Sequence, residues 1–251
     1  MKLVRIAAAT TAAAAIALSG AAVSAAAPAP QGRAISAVQP SPEIVGGNKA
    51  SIADAPFAAL QLVNGSANCS GSQIAATWVI TAKHCIENTS ASSMSVQLGA
   101  SEIGGGTTVE VKKAVGWSGG DVALLELVSP YQNTYASLSA SNPATGAAAK
   151  IFGWGAINTT PTYPDYLKKA SVSIVGTNSS NWPGPAIVEK GVDGQALWGD
   201  SGGPLIVNGK VVGVCSGPLQ GAPGTITGTV MYASVIAAGS WIKSTSGVSG
   251  S

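Results

Sequence analysis

From residue 44 onward the chain is a succession of short apolar runs separated by turn-forming residues. They read FAALQLV (57–63), TWVITA (77–82), MSVQLGA (94–100), TTVEVKKAV (107–115), DVALLEL (121–127), AKIFGWG (149–155), ASVSIV (170–175), PLIV (204–207), KVVGVCSG (210–217) and TVMYASV (229–235). Runs this short and this closely spaced predict many strands, and hence an all-β sandwich or barrel. Only the end, ASVIAAGSWIKSTS (233–246), spaces its apolar residues as a helix does, with Val235, Ile236, Trp241 and Ile242 on roughly one side. No internal sequence repeat is visible.

The first 43 residues have a different texture. Lys2 and Arg5 precede a long apolar run that ends in small residues suited to A-x-A cleavage near Ala25 or Ala27. That is the pattern of a secretory signal peptide over 1–27, and no positive flank follows the run to halt transfer. Residues 28–43, rich in Pro, Ala and Ser, read as a propeptide or linker, leaving 44–251 as the folded domain. No other segment is long and apolar enough to span a bilayer, so the expectation is a secreted protein with no membrane attachment after signal removal.

Composition narrows the function classes. With 46% hydrophobic residues the chain can bury a core, and 32 Gly with 14 Pro suit many turns. Only 10% of residues are charged, 13 basic against 11 acidic, so nothing advertises nucleic acid as a partner. Secretion implies an oxidising compartment, in which two of Cys69, Cys85 and Cys215 pair and one is left over. Three scattered cysteines and one histidine give no ligand set at metal spacing, so neither metal nor cofactor is expected.

His84, the only histidine, lies in TAKHC (81–85) beside Cys85, itself sixteen residues after Cys69. It could be a plain solvated side chain, but a bridge between those cysteines would fix it at the edge of a hairpin-sized loop. Ser201, in GDSGGP (199–204), sits where a glycine-flanked turn can hold a hydroxyl outward, although such strings also form ordinary surface turns. Acyl transfer needs a serine, an imidazole, a carboxylate to hold the imidazole and N–H donors for the oxyanion; Gly199 suits the last role. Asp121, opening an apolar strand, is a candidate for the carboxylate or a turn residue. Asp200, beside Ser201, is awkwardly placed for that role and could be a metal ligand, a turn former or a latch.

IVGG (44–47), TAKHC, DVALLEL, GWG (153–155) and GDSGGP, in this order, resemble the secreted chymotrypsin/trypsin-family serine endopeptidases over Ile44 to about Ser246. The resemblance implies two packed six-stranded antiparallel β-barrels with a C-terminal helix and a site in the cleft between them. It implies His84 as general base, Asp121 as its orienting partner, Ser201 as nucleophile, and the N–H groups of Gly199 and Ser201 as oxyanion hole. It also implies a Cys69–Cys85 bridge, with Cys215 left as a small buried hydrophobe. Cleavage before Ile44 would free an α-ammonium that pairs with Asp200, the latch of a zymogen.

Several positions depart from the family pattern. Lys83 replaces a small residue before the histidine. Gln195 stands six positions before Ser201, where trypsin-like members carry Asp, and Val230 stands where wide-pocket members have Gly. With Ser216 they predict a neutral, shallow pocket for small or medium apolar side chains. Asp193, two residues away, keeps an Arg/Lys-preferring alternative open. SGP (216–218) replaces the frequent Ser-Trp-Gly, and Pro218 has no N–H to offer a substrate. The competing class is an inactive protease-fold binding protein, against which the intact His84, Asp121 and Ser201 speak. The expected partners are protein or peptide substrates, an activating protease and protein protease inhibitors, with the enzyme itself a monomer.

Overall fold

The structure, a computed structural model, describes residues 44–221 and 223–251. The expected signal peptide and propeptide lie outside the described residues. Six strands, β1 (Ala58–Val63), β2 (Ser66–Ala75), β3 (Trp78–Thr81), β4 (Met94–Leu98), β5 (Thr107–Gly116) and β6 (Ala123–Leu127), close one antiparallel barrel in the order β1-β2-β3-β6-β5-β4. A second set is β7 (Ala148–Gly153), β8 (Lys168–Ser180), β9 (Gly184–Gly191), β10 (Pro204–Val207), β11 (Lys210–Gln220) and β12 (Thr229–Ser234). It runs β7-β10-β11-β12-β9-β8 and closes through the pairing of β7 with β8. Counted from its own first strand, each barrel has the same order, 1-2-3-6-5-4. The repeat that the sequence hides is therefore one of topology.

Burial explains why some runs alternate and others do not. In β5, Val109 and Val111 face the first barrel's interior while Glu110 and Lys112 face out, as expected of a half-covered strand. β1 is buried on both faces. Ala59 joins the first barrel's core, and Ala58, Leu60 and Leu62 join Phe152, Trp154 and Leu167 in a separate apolar cluster. A second inter-barrel cluster sets Ile80 and Leu124 against Val211, Val214 and Ala233. These two layers fix the barrels against one another, and truncating Leu124, fully buried, to Ala would cost roughly 2–5 kcal/mol.

The C-terminal helix, α1 (Gly239–Ser246), begins later than its apolar spacing suggests. Ala233 and Ser234 remain in β12, where Ala233 pairs with β9 and β11 and Ser234 with β11, and sheet pairing outcompetes the helical period there. Ile242 anchors α1 in the inter-barrel cluster. Near residue 44, Val45–Gly46 pairs with Gly194–Gln195, and the Ile44 side chain is buried in the second barrel's core.

Candidate active site

β3 ends at Thr81, and the chain passes through extended Ala82 into a single 3-10 turn, Lys83–Cys85. The disulfide Cys69–Cys85 ties that turn to β2, and Gln61 Nε2 donates to the Cys85 carbonyl at 3.0 Å. Closing a loop of this size stabilises the fold by about 3 kcal/mol on the chain-entropy argument. His84 is thereby held facing the segment that opens β6. Its backbone N–H donates to Asp121 Oδ1 and its Nδ1 to Asp121 Oδ2, both at 2.8 Å. A carboxylate only accepts, so Nδ1 carries the proton and Nε2 is the ring atom left for chemistry. The Asp121 side chain is 2% exposed and that of His84 31%, so the acid is buried with its partner attached and the ring reaches solvent. Burial of an unpaired carboxylate would be costly, which explains why the polar residue at the head of an apolar strand is tolerated. Lys83 points elsewhere, its stem lying across Gly116.

Ser201 comes from the second barrel, in the turn before β10. Its carbonyl accepts from Ser70 N at 2.8 Å, and Ser70 Oγ donates to the Gly199 carbonyl at 3.1 Å, so β2 of the first barrel grips the turn at two points. Among the described residues, the Ser201 hydroxyl makes no hydrogen bond, His84 included, and the Gly199 and Ser201 N–H groups are not taken by any backbone acceptor. Bonds of this kind tighten when a substrate is present. Asp200, 2% exposed, faces the other way. Its Oδ1 accepts from Gly155 N at 2.8 Å and its Oδ2 from Leu197 N at 2.9 Å. A Cβ on Gly153 or Gly155 would collide with this carboxylate, which is the physical reason for the glycines of GWG. Burial pushes the Asp200 carboxyl up, opposed by the charge of Lys168 and by the two N–H donors.

Beside Ser201 opens a pocket of about 110 Å³ lined by Gln195, Cys215, Ser216, Gly217 and Val230, among others. That is room for a side chain rather than for a whole small-molecule ligand. Gln195 Nε2 donates to the Gly228 carbonyl at 3.0 Å and its Oε1 accepts from Ala196 N at 2.8 Å, so its amide is engaged with backbone. Asp193 is not among the lining residues. Its Oδ1 accepts from Ser171 N at 2.6 Å outside the pocket.

Comparison with known proteins gives the same family. The sequence model of the family named Trypsin matches residues 44–242. The chain belongs to the trypsin family of serine-type endopeptidases. Trypsin beta of Drosophila erecta is 33% identical over 221 residues, covering 79% of this chain and 87% of that protein. Trypsin delta of Drosophila melanogaster is 31% identical over 223 residues, covering 80% and 87%. Among solved structures, neuropsin, a serine protease of mouse brain, superposes with a TM-score of 0.68 at 23% identity, covering 79% of this chain and 98% of its own. Human heparin binding protein gives 0.68 at 22%, covering 80% and 96%. These two share the fold.

Three residues of this trypsin-family chain escape a reading of its sequence. Lys168, fully buried, lends its charge to Asp200. Glu189 is fully buried on β9 with Gln195 Nε2 3.5 Å from its Oε2 and, among the described residues, no partner for Oε1. Burial pushes its carboxyl up to about 8. Trp182, in the β8–β9 turn, tilts its ring toward His84 with 6.5 Å between centroids. The period of two along β9 puts Glu189 on the same face as core residue Ile187, a signal that could have flagged it. Cys69, His84 and Cys85 bring three donor atoms together, but the two thiols are spent in the disulfide. Cys215 is free and buried, and among the described residues no helix is long and apolar enough to cross a membrane.

Proposed function

We propose that this chain hydrolyses peptide bonds by acyl transfer to Ser201. His84 Nε2 takes the Ser201 proton as the hydroxyl attacks the carbonyl, and returns it to the leaving amine. Asp121 holds the ring and its tautomer, and stabilises the imidazolium that forms. The N–H groups of Gly199 and Ser201 receive the oxyanion. The observation that carries this reading is the doubly hydrogen-bonded His84–Asp121 pair, buried on the carboxylate side and open on the imidazole side. Proteins and peptides are the substrates. Gln195, Ser216 and Val230 select small or medium apolar side chains before the scissile bond, and the engagement of Asp193 with Ser171 speaks against an Arg/Lys preference. The test is a fluorophosphonate probe together with a peptide ester. Wild type should label at Ser201, while His84→Ala and Ser201→Ala should lose nearly all turnover, Ser201→Ala with its thermal midpoint unchanged and His84→Ala with a lowered one, because Asp121 loses its ring partner. Wild-type rates in either variant would sink the assignment, and a folded wild type that neither labels nor turns over would favour a binding protein.

The same reading includes secretion and processing. The N-terminal sequence is that of a signal peptide followed by a propeptide, and a disulfide beside His84 suits an oxidising compartment. Cutting between Glu43 and Ile44 would free an ammonium beside the second barrel, where Asp200 is buried with an incompletely compensated charge. An activating protease, protein inhibitors and a monomeric state complete the proposal.

A further inference from the structure

Strand β9 brings a carboxyl up behind the pocket. Glu189 stands opposite Val230 in the β9–β12 register, and it is fully buried. Its Oε2 lies 3.5 Å from Nε2 of Gln195, and Gln195 and Val230 line the pocket while Glu189 does not. One lining amide therefore stands between the acid and whatever the pocket holds. That amide cannot satisfy the acid, because Nε2 already donates to the Gly228 carbonyl and Oε1 accepts from Ala196 N. Among the described residues Glu189 Oε1 has no hydrogen-bond partner, and the carboxyl belongs to none of the ion pairs. A buried acid in this state, once ionised, calls for a positive charge nearby.

The other groups around Glu189 do not supply one. Cys215 on β11 and Tyr232 on β12 feel its charge, and burial pushes both well above their ordinary values, so they remain neutral. Asp200, in the turn before β10, is engaged with the Gly155 and Leu197 N–H groups and with the charge of Lys168. Ile174, opposite Glu189 on β8, is apolar, and Lys190, next along β9, is exposed on the other face of the strand.

We propose that Glu189 is a specificity-determining residue that sets the charge of the pocket from behind Gln195: protonated, it leaves a neutral pocket for apolar side chains, and ionised, it lets the pocket take a short cationic one. The proposal rests on the peptidase reading above and adds a second substrate class for the same pocket. It gives Glu189 no contact with substrate and no part in bond breaking. Burial holds the proton on this carboxyl up to about 8, so the neutral form prevails at neutral pH and the charged form above it. Raising the pH removes the proton and adds a negative charge, so the gain for a cation rises with pH. At an effective dielectric of about 20, a unit charge a few ångströms from an ammonium is worth about tenfold or more in binding. The pocket, about 110 Å³, limits that gain to short side chains.

The experiment uses the processed enzyme and two peptides that differ only before the scissile bond. One carries ornithine and the other norleucine, side chains of equal length that end in an ammonium and a methyl. An alkyl ammonium, like that of lysine with its unperturbed pKa of about 10.4, stays charged across the range used. In the wild type the ratio of kcat/KM, ornithine over norleucine, should rise about tenfold from pH 6.5 to pH 9.5 with a midpoint near 8. Proton loss at His84 or Ile44 acts on both peptides alike and cancels in the ratio. In Glu189→Gln the ratio should stay at its low-pH value. A flat ratio in the wild type, or an equal rise in Glu189→Gln, would overturn the proposal, the second outcome pointing to another ionising group. A binding arm separates this from failure of the peptidase reading. Ser201→Ala, titrated by calorimetry at pH 7.5 in two buffers of different ionisation heat, should release protons on binding the ornithine peptide and none on binding the norleucine peptide, because a cation nearby drives the carboxyl to ionise. Ser201→Ala with Glu189→Gln should release none with either. Equal proton exchange with both peptides by Ser201→Ala would overturn the proposal even if the wild type labels at Ser201. A wild type that neither labels nor cleaves would defeat the peptidase reading, and the proton count would still decide the role of Glu189.

Discussion

Val230, Gln195 and Ser216 line the pocket next to Ser201, and on the proposed reading they set the size and charge of the side chain it accepts. Val230 contributes a branched wall, and Gln195 presents an amide already bonded to backbone rather than a charge. Removing the isopropyl group should therefore admit larger apolar residues. In Val230→Gly the ratio of kcat/KM for Phe over Ala peptides should rise by roughly tenfold or more, since a few buried methylene equivalents are worth about 1–3 kcal/mol each in discrimination. Removing this side chain from the second barrel's core and placing glycine within a strand both destabilise the fold, so the ratio is read well below the thermal midpoint. An unchanged ratio, or Arg and Lys peptides leading in the wild type, would contradict the pocket assignment. At this scale the motifs that hold His84, Asp121 and Ser201 were legible because each is short and has a fixed neighbour, and the fold brings His84 and Asp121 into hydrogen bond. Trp182 was not, because the ring it approaches, that of His84, is distant in sequence and adjacent only in space.

Strand β9 lies between β8 and β12, and its inward face carries Ile187 and Glu189 into the second barrel. An acid in such a place is held mostly neutral. Burial raises the Glu189 carboxyl from an ordinary 4.5 to about 8, with the Gln195 hydrogen bond pulling the other way. Asp200, Cys215 and Tyr232 are electrostatically coupled within this interior, and burial pushes all three up as well. A folded pKa above the unfolded one means that the folded state holds the proton more tightly. The stability this provides is complete below about 4.5 and is lost as pH rises through about 8. Glu189→Gln cannot ionise, so its urea midpoint should fall less than that of the wild type between pH 5 and pH 9. Parallel pH curves for the two proteins would show that Glu189 does not titrate in the fold. Most strands were legible as apolar runs, because a run such as DVALLEL suits a strand covered on both faces. The start of α1 was not, since Ala233 and Ser234 satisfy a helical period and a sheet register equally well, and only their partners on β9 and β11 decide. Glu189 was not legible because in PAIVEK (185–190) it follows a short apolar stretch and precedes a lysine, as an acid at an exposed strand end would.

The two barrels divide the labour of the site. The first supplies His84 and Asp121, the second supplies Ser201, the pocket and Asp200, and the apolar layers around Leu60 and Leu124 keep the halves in register. No single run of sequence contains this arrangement, since barrel closure by β1–β4 and β7–β8 pairing depends on which distant edges meet. The proposed activation belongs to the same scale. With residue 43 attached, the Ile44 nitrogen is an amide, and among the described residues Asp200 has the Gly155 and Leu197 N–H groups and the charge of Lys168 against the cost of burial. In the proposed activation, cleavage would convert that amide to an α-ammonium whose unperturbed pKa is about 7.7–8.0, and pairing with the buried Asp200 carboxylate would raise it. The stabilisation of the pair is then complete below the unperturbed value and is lost as pH rises through the raised one. The cut enzyme should lose activity along an alkaline limb as Ile44 deprotonates, whereas the uncut chain, having no such proton to lose, should stay nearly inactive at every pH. Asp200→Asn should resemble the uncut chain even after cutting, because the turn carrying Gly199 and Ser201 has lost its anchor. Purified uncut, cut and cut Asp200→Asn proteins, assayed on one peptide ester from pH 6 to pH 11, make the comparison. Equal rates in cut and uncut chains, or a fully active Asp200→Asn enzyme, would leave Asp200 as a residue that shapes the turn and nothing more.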